Sequence, residues 1–361
     1  VSYGDKNALI PTQLGNDKIK WESTVQKDLG LDFSFMRGRL GGTFGYYHKV
    51  TDGTLLNMTP APSSSYSTVV FNIAKIRNQG LEFDIHGDFI RKKDFRWTGN
   101  LNISRNVSKV LDINGGPFSD PNDRDAMNLG TSVVKEGEPL GLLYGRVATG
   151  IIKTQAQLEA AREEFSLWTI FDPYLNLGDI AYEYEDGFWK EDVIGHATPD
   201  FFGGYTNTIN WNRFTLTALF TFSYGNDLIY QKDVSDSGMS SLANRGTRVL
   251  NHYSEDNTSS NRPRSMWATT YMLSSLNVYD ASYLKLKTLS LSYNLPESIC
   301  RKVRIKSASV YGTATNVFTI TSYPGPDPEV SDDPTSVIGG GRDVSTYPTV
   351  KSYTFGIRIN F

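Results

Sequence analysis

A single cysteine, Cys300, stands in 361 residues, so the chain cannot close a disulfide on itself. No apolar run approaches the roughly 18 to 20 residues of a membrane-crossing helix. That excludes helical spans but leaves a barrel open, because barrel strands carry a weak, alternating signal instead. Neither sign of charge dominates: 36 Lys and Arg stand against 39 Asp and Glu, a net charge of −3. A nucleic-acid binder needs a basic surface, so that class is set aside. Histidine is scarce, and His48, His86, His196 and His252 are scattered. No Ser/His/Asp or Cys/His arrangement has motif context, and no Gly-rich loop lies between a strand and a helix. The chain is therefore not expected to be an enzyme, and no cofactor is expected.

What is present is aromatic residues and turn formers: 20 Tyr, 19 Phe, 32 Gly and frequent Asn. The clearest pattern is at the end, from Tyr347 to Phe361. Tyr353, Phe355, Ile357, Ile359 and Phe361 fall on one face of an extended strand. Thr354, Gly356, Arg358 and Asn360 fall on the other, because strand side chains alternate. Such a strand suits lipid on one side and a wet lumen on the other.

The same alternation recurs upstream. From Lys18, residues Ile19, Trp21, Val25, Leu29, Leu31, Phe33 and Phe35 share one face. The turn Met36-Arg37-Gly38 leads to a second strand, about Arg39 to Thr51, with Leu40, Phe44, Tyr46 and Val50 on one face. A Ser/Thr/Pro loop is expected over about 52–74. In the third strand, about Ile76 to Ile90, Leu81, Phe83, Ile85 and Phe89 point one way. Glu82, Asp84, His86 and Asp88 point the other way. In the fourth, Phe95, Trp97, Leu101 and Ile103 oppose Arg96, Thr98, Asn100, Asn102 and Ser104. A continuous row of acids and Asn cannot face a dry core, but it can line a wet lumen. That reading is preferred over a metal cluster at His86, since period two puts all four of its acidic and imidazole groups on one face.

Residues 107–199 read as irregular, apart from one short helix from Thr154 to Phe165 with Thr154 as N-cap. Further strands are expected at Phe201 to Trp211, Phe214 to Tyr224, Ser282 to Leu295 and Val303 to Asn316. Nine strands result, with short turns near 37, 92, 212 and 298 and long loops near 63, 150, 250 and 330. Short and long alternate, as up-and-down topology requires. The aromatics Phe33, Phe35, Phe89, Phe95, Trp97, Trp211, Phe214, Tyr293 and Phe361 lie beside the short turns, as an interfacial girdle does. Each feature alone also suits a β-sandwich edge. Together they predict an all-β fold, an antiparallel transmembrane β-barrel with long extracellular loops. Nine is odd and barrels are normally even, so further strands are expected upstream of Val1.

Several blocks resemble the SusC-like TonB-dependent transporters of the Bacteroidota outer membrane. Lys20-Trp21-Glu22 with Gly30-Leu31-Asp32 is similar to the family's "WE…GLD" strand. The run Asn72 to Glu82 resembles "NIGKIRNKGVE". Val193-Ile194-Gly195 with Pro199-Asp200-Phe201 resembles "VIG…PDF". The run Ala281 to Lys287 resembles "ASYLRLKN", Thr315 to Thr319 resembles "QNLFT", and Gly325 to Glu329 resembles "GxDPE". The stretch Tyr184 to Asp192 stands where many members carry a calcium loop, but lacks the alternating Asp/Asn oxygens, so no metal is carried over.

The resemblance implies a barrel of about 22 strands, of which residues 1–361 are the C-terminal part. The plug domain and first strands would lie outside this chain. It implies active import of a nutrient, a glycan or a peptide, driven through TonB, with a SusD-like lipoprotein as lid and outer-membrane lipids around it. A passive barrel, or a surface glycan-binding protein without transport, is the alternative. Trp168, Trp189, Trp267 and Tyr271 are candidate substrate contacts that could equally support the loops or pack under the lid. The loop from Pro324 to Pro334 could touch the lid, by its GxDPE block alone. Thr354, Gly356, Ile359 and Phe361 resemble the C-terminal signal read by barrel-assembly machinery. Deleting Phe361 is accordingly expected to lower the amount of protein in the outer membrane before it alters transport. Quantitative blotting of membrane fractions checks this, and unchanged levels would refute the assembly role.

Overall fold

Period-two patterning becomes one antiparallel meander. The computed structural model describes residues 2–3, 6–7, 13–58, 63, 66, 68–113, 125–164, 175–185, 188–238, 244–265, 272–333, 336, 338 and 340–361. Its long strands are β1 (Ser23–Phe35), β2 (Leu40–Met58), β3 (Thr68–Arg91), β4 (Phe95–Asp112) and β5 (Phe201–Trp211). They continue as β6 (Phe214–Tyr224), β7 (Tyr283–Asn294), β8 (Ser307–Thr321) and β9 (Ser352–Asn360). Each pairs antiparallel with the next in sequence, and β1 and β9 are the ends of the ladder. Gln13–Leu14 adds a short parallel contact to the start of β3.

Register decides the faces. One row runs Leu31, Phe44, Phe83, Ile103, Gly203, Phe222, Leu284 and Ile320. The adjacent row runs Asp32, Thr43, Asp84, Asn102, Gly204, Thr221, Lys285 and Thr319. Apolar and polar faces are thus continuous across the sheet. The apolar face is not covered by protein: Ile320 is 62% exposed and Phe355 83%. A polar residue on that face, Asn207, accepts from the Trp97 indole N–H at 3.1 Å.

Five register pairs set an aromatic ring against a glycine: Phe33 with Gly42, Tyr47 with Gly80, Phe222 with Gly203, Tyr311 with Gly356 and Phe355 with Gly312. At Gly42, Gly80, Gly203 and Gly356 an added Cβ would lie 2.5–2.8 Å from the ring's Cζ. Glycine is required there for space.

The short connections share one end of the sheet. The first is a type I′ turn, with φ of 53° at Met36 and 57° at Arg37, and Gly38 N–H donating to Phe35 O at 3.1 Å. Beside these links Phe89 meets Trp97 edge-to-face, with ring centroids 5.0 Å apart, and Phe214 meets Tyr293 at a tilt, with centroids 4.8 Å apart. The long connections share the other end, and the buried clusters sit there. Val69, Ala74, Ile76, Val110, Ile113, Met127, Val134 and Leu140 form one. Ile151, Ile180 and Tyr253 form a second, and Leu228, Tyr230, Ala281 and Tyr323 a third.

The structure corrects several expectations. β1 begins at Ser23, not Lys18. Much of 52–74 is not loop, because β2 and β3 continue their ladder past a bulge at Thr51 and Thr54 to Met58 and Val69. Within 107–199, β4 continues to Asp112, and Ala126–Asn128, Ser132–Lys135, Leu142–Arg146 and Glu191–His196 form a small sheet. The helix is α1 (Gln155–Glu164), and Thr154 caps it: its hydroxyl accepts from Gln157 N–H at 3.2 Å. The β6–β7 connection holds α2 (Gln231–Gly238). The link near 298 holds α3 (Glu297–Lys302), which delays β8 to Ser307.

Leu289 and Ser290 are neighbours near the middle of β7 on opposite faces, paired with Ala314 and Thr313. Leu289→Arg is expected to cost about 2 to 4 kcal/mol on a lipid-facing side, and Ser290→Arg much less. Urea titration of folding into lipid vesicles measures both, and equal costs would count against a lipid face.

Candidate functional site

The polar face brings the predicted lumen residues into two facing columns. Asp84 stands opposite Asn102, His86 opposite Asn100, and Asp88 opposite Thr98. Glu82 stands opposite Ser104. Arg96 grips Asp88 through Nε at 3.0 Å and Nη2 at 2.9 Å, and Arg39 Nη2 donates to the Asp88 carbonyl at 3.1 Å. Asp84 Oδ1 lies 3.4 Å from His86 Nδ1. A space near the short-turn end is lined by Arg39, His86, Asp88, Arg96 and Asn100. These groups give that end of the polar face a charged, hydrogen-bonding surface.

At the other end the β8–β9 connection is fastened to the wall by a buried ion cluster. Lys285 on β7 is 1% exposed. Its Nζ donates to Asp327 Oδ1 at 3.0 Å and also to Glu329. Lys287 Nζ reaches Glu329 Oε2 at 2.9 Å, and the Tyr283 hydroxyl donates to Glu329 Oε1 at 2.9 Å. Asp327 also accepts from the Glu329 N–H at 3.0 Å and from Thr349. Burial pushes the Asp327 carboxyl up, but the hydrogen bonds from Thr349, Glu329 and Lys285 outweigh it and hold it below its ordinary value. Burial likewise opposes Glu329, and Lys285, Lys287 and Tyr283 hold it low. Groups with depressed pKa stabilise the folded loop above their unfolded pKa, and that contribution is lost as pH falls through the folded pKa.

The Ala281 to Lys287 and Gly325 to Glu329 blocks are thus partners in space. Sequence reading missed this. The available signal was Lys285 and Lys287, two cations on the polar side of a strand, which require acids. One further tie joins two loops, and another closes the β8–β9 connection on itself. Arg264 holds Asp179 through Nε at 2.7 Å and Nη2 at 3.0 Å, and the buried Asp343 accepts from the Tyr323 hydroxyl at 2.8 Å.

Of the candidate substrate contacts, Trp168, Trp267 and Tyr271 lie outside the described residues. Trp189 sits in the hairpin Tyr184–Glu185 and Phe188–Trp189. The Arg146 guanidinium lies 4.1 Å over its ring centroid, so one ring face is occupied by protein. Of the described acidic residues between Tyr184 and Asp192, Glu185 stands in that hairpin, and Glu191 and Asp192 stand in the strand Glu191–His196. Among the C-terminal residues, Thr354 pairs with Thr313, Gly356 with Tyr311 and Ile359 with Ala308, while Phe361 is 91% exposed. Gly356 therefore also has a packing role.

A family model described as "TonB dependent receptor-like, beta-barrel" matches residues 3–218. The chain is 32% identical over 365 residues to TonB-dependent receptor P3 of Formosa agariphila, covering 98% of this chain and 36% of that protein. It is 26% identical over 367 residues to TonB-dependent receptor SusC of Bacteroides thetaiotaomicron, covering 96% of this chain and 32% of that one. It thus spans about a third of the length of these curated relatives. The solved structure of the RagAB peptide transporter matches with a TM-score of 0.75 at 23% identity, covering 96% of this chain and 36% of that chain. That likeness shows the fold.

Lys285→Met leaves Asp327 without its buried cation and Glu329 with Lys287 and the Tyr283 hydroxyl. Loss of one partner of a buried pair costs about 3 to 5 kcal/mol. Amide hydrogen exchange over residues 322–331 is expected to quicken accordingly, and in the unsubstituted protein to quicken as pH falls below the ordinary carboxylate range, after correction for intrinsic rates.

Proposed function

The chain belongs to the TonB-dependent receptor-like β-barrel family, and on that premise we propose that it is the C-terminal part of an outer-membrane importer for a nutrient, a glycan or a peptide. The observation that carries the reading is the two-faced meander with all long connections at one end. An uncovered apolar face suits lipid, and a polar face suits an aqueous interior. Loops with their own buried clusters and ion pairs suit the outer mouth of such a barrel, where a SusD-like lipoprotein would sit as lid. The complete barrel, of about 22 strands, and a plug with its TonB-contacting segment would come from chain outside these residues. Barrel-assembly machinery would insert it. Energy would come through TonB, with no bond made or broken by this chain. The similar fold of the RagAB peptide transporter agrees with a peptide cargo, and the SusC-like blocks agree with a glycan as well.

The test is growth on the nutrient whose uptake requires this protein, in cells with and without TonB. Growth is expected to stop without TonB while the protein stays in the outer membrane. Continued growth would favour a passive barrel.

A further inference from the structure

The connection between β6 and β7 encloses a cavity of about 470 Å³. Asp233, Arg248, Asn251, Arg262, Asn277 and Tyr279 are among its lining. Asp233, 5% exposed, is the only carboxylate among the described lining residues. Arg262 Nη2 donates to its Oδ1 at 2.6 Å, and Arg248 Nη1 reaches the same oxygen at 3.4 Å. The Tyr279 hydroxyl donates to Oδ2 at 2.6 Å. Two guanidinium groups thus share one carboxylate, which leaves one positive charge uncompensated in the lining. Lys153 adds a second at the edge, where, among the described residues, its Nζ binds neutral oxygens alone, Ser259 O at 3.0 Å and Asn261 Oδ1 at 2.7 Å.

Each guanidinium has five N–H donors. Among the described residues, Arg248 reaches Asp233 and Tyr279, and Arg262 reaches Asp233. Donors therefore remain on both. Arg248 is held loosely, and its side chain is 37% exposed. A planar guanidinium fork matches a carboxylate bidentately, where an ammonium offers only a point charge. The volume lies in the lower part of the range of small-ligand sites. It suits one terminal sugar or amino-acid unit, with Asn251 and Asn277 as neutral hydrogen-bonding groups.

We infer that this cavity binds a carboxylate carried by the imported nutrient. The inference rests on the import reading and narrows its substrate class to acids. The carboxylate belongs either to a uronic acid of a glycan or to a peptide.

Isothermal titration of the purified full-length protein at low salt tests it, with tri-galacturonate and the peptide Gly-Gly-Glu as probes. Their controls are the tri-galacturonate methyl ester and the peptide with both carboxyls amidated. One acid is expected to bind and its neutral counterpart to bind at least about tenfold more weakly. Which acid binds identifies the source. Arg248→Gln is expected to lose about tenfold in affinity and Arg248→Lys less. Heat-modifiable mobility on gels verifies that both variants are folded. Equal binding of acid and neutral probe, unchanged binding in folded Arg248→Gln, or binding of neither acid would overturn the inference. Acid binding without TonB-dependent growth would sink the import reading and leave the cavity assignment standing. TonB-dependent growth without acid-specific binding would do the reverse.

Discussion

Everything in this molecule depends on the antiparallel hydrogen-bond ladder that joins β1 to β9 in sequence order. Within a hydrocarbon layer no water can satisfy a stray N–H or C=O, so each strand must find its partners in its neighbours. The same ladder sets the chemistry of both faces. Because side chains alternate with a period of two, a one-residue slip would turn the whole apolar set toward the polar side. Leu31 through Ile320 stay in one row across eight strands because no pair slips in this way.

A wall of this kind has no conventional interior. The buried apolar clusters lie mostly where the loops gather, at Ile151, Ile180 and Tyr253, and at Leu228, Tyr230 and Tyr323. Charge does the fastening between wall and loops. Lys285 has left water almost completely, and such a group is tolerable only with acids at contact distance. Asp327 and Glu329 supply them from 42 and 44 residues away.

The strands were legible where their alternation ran unbroken between tight turns. Phe201–Trp211 and Phe214–Tyr224 end where the pattern ends, since Asn212 and Arg213 alone separate them. Beyond Thr51 the reading failed because a bulge around Gly53 shifts the phase, and a period-two pattern cannot be followed through a phase shift. The small loop sheet escaped because its strands span three to six residues, too few to establish a period. Lys285 was visible as a lysine on a polar face, but its acids lie on the β8–β9 connection and no local pattern links them. The cavity between Arg248 and Arg262 is likewise a product of tertiary folding.

The ring-on-glycine pairs carry a consequence for assembly. A slip of two residues preserves the face of every side chain, so hydrophobic patterning cannot reject it. Steric keys can. After such a slip Phe33 would meet Leu40 or Phe44 in place of Gly42, and Phe222 would meet Phe201 or Tyr205 in place of Gly203. Tyr311 would meet Thr354 or Arg358 in place of Gly356. Each strand junction that carries such a pair therefore disfavours a two-residue slip, and Gly356 extends that check to β9 at the end of the ladder.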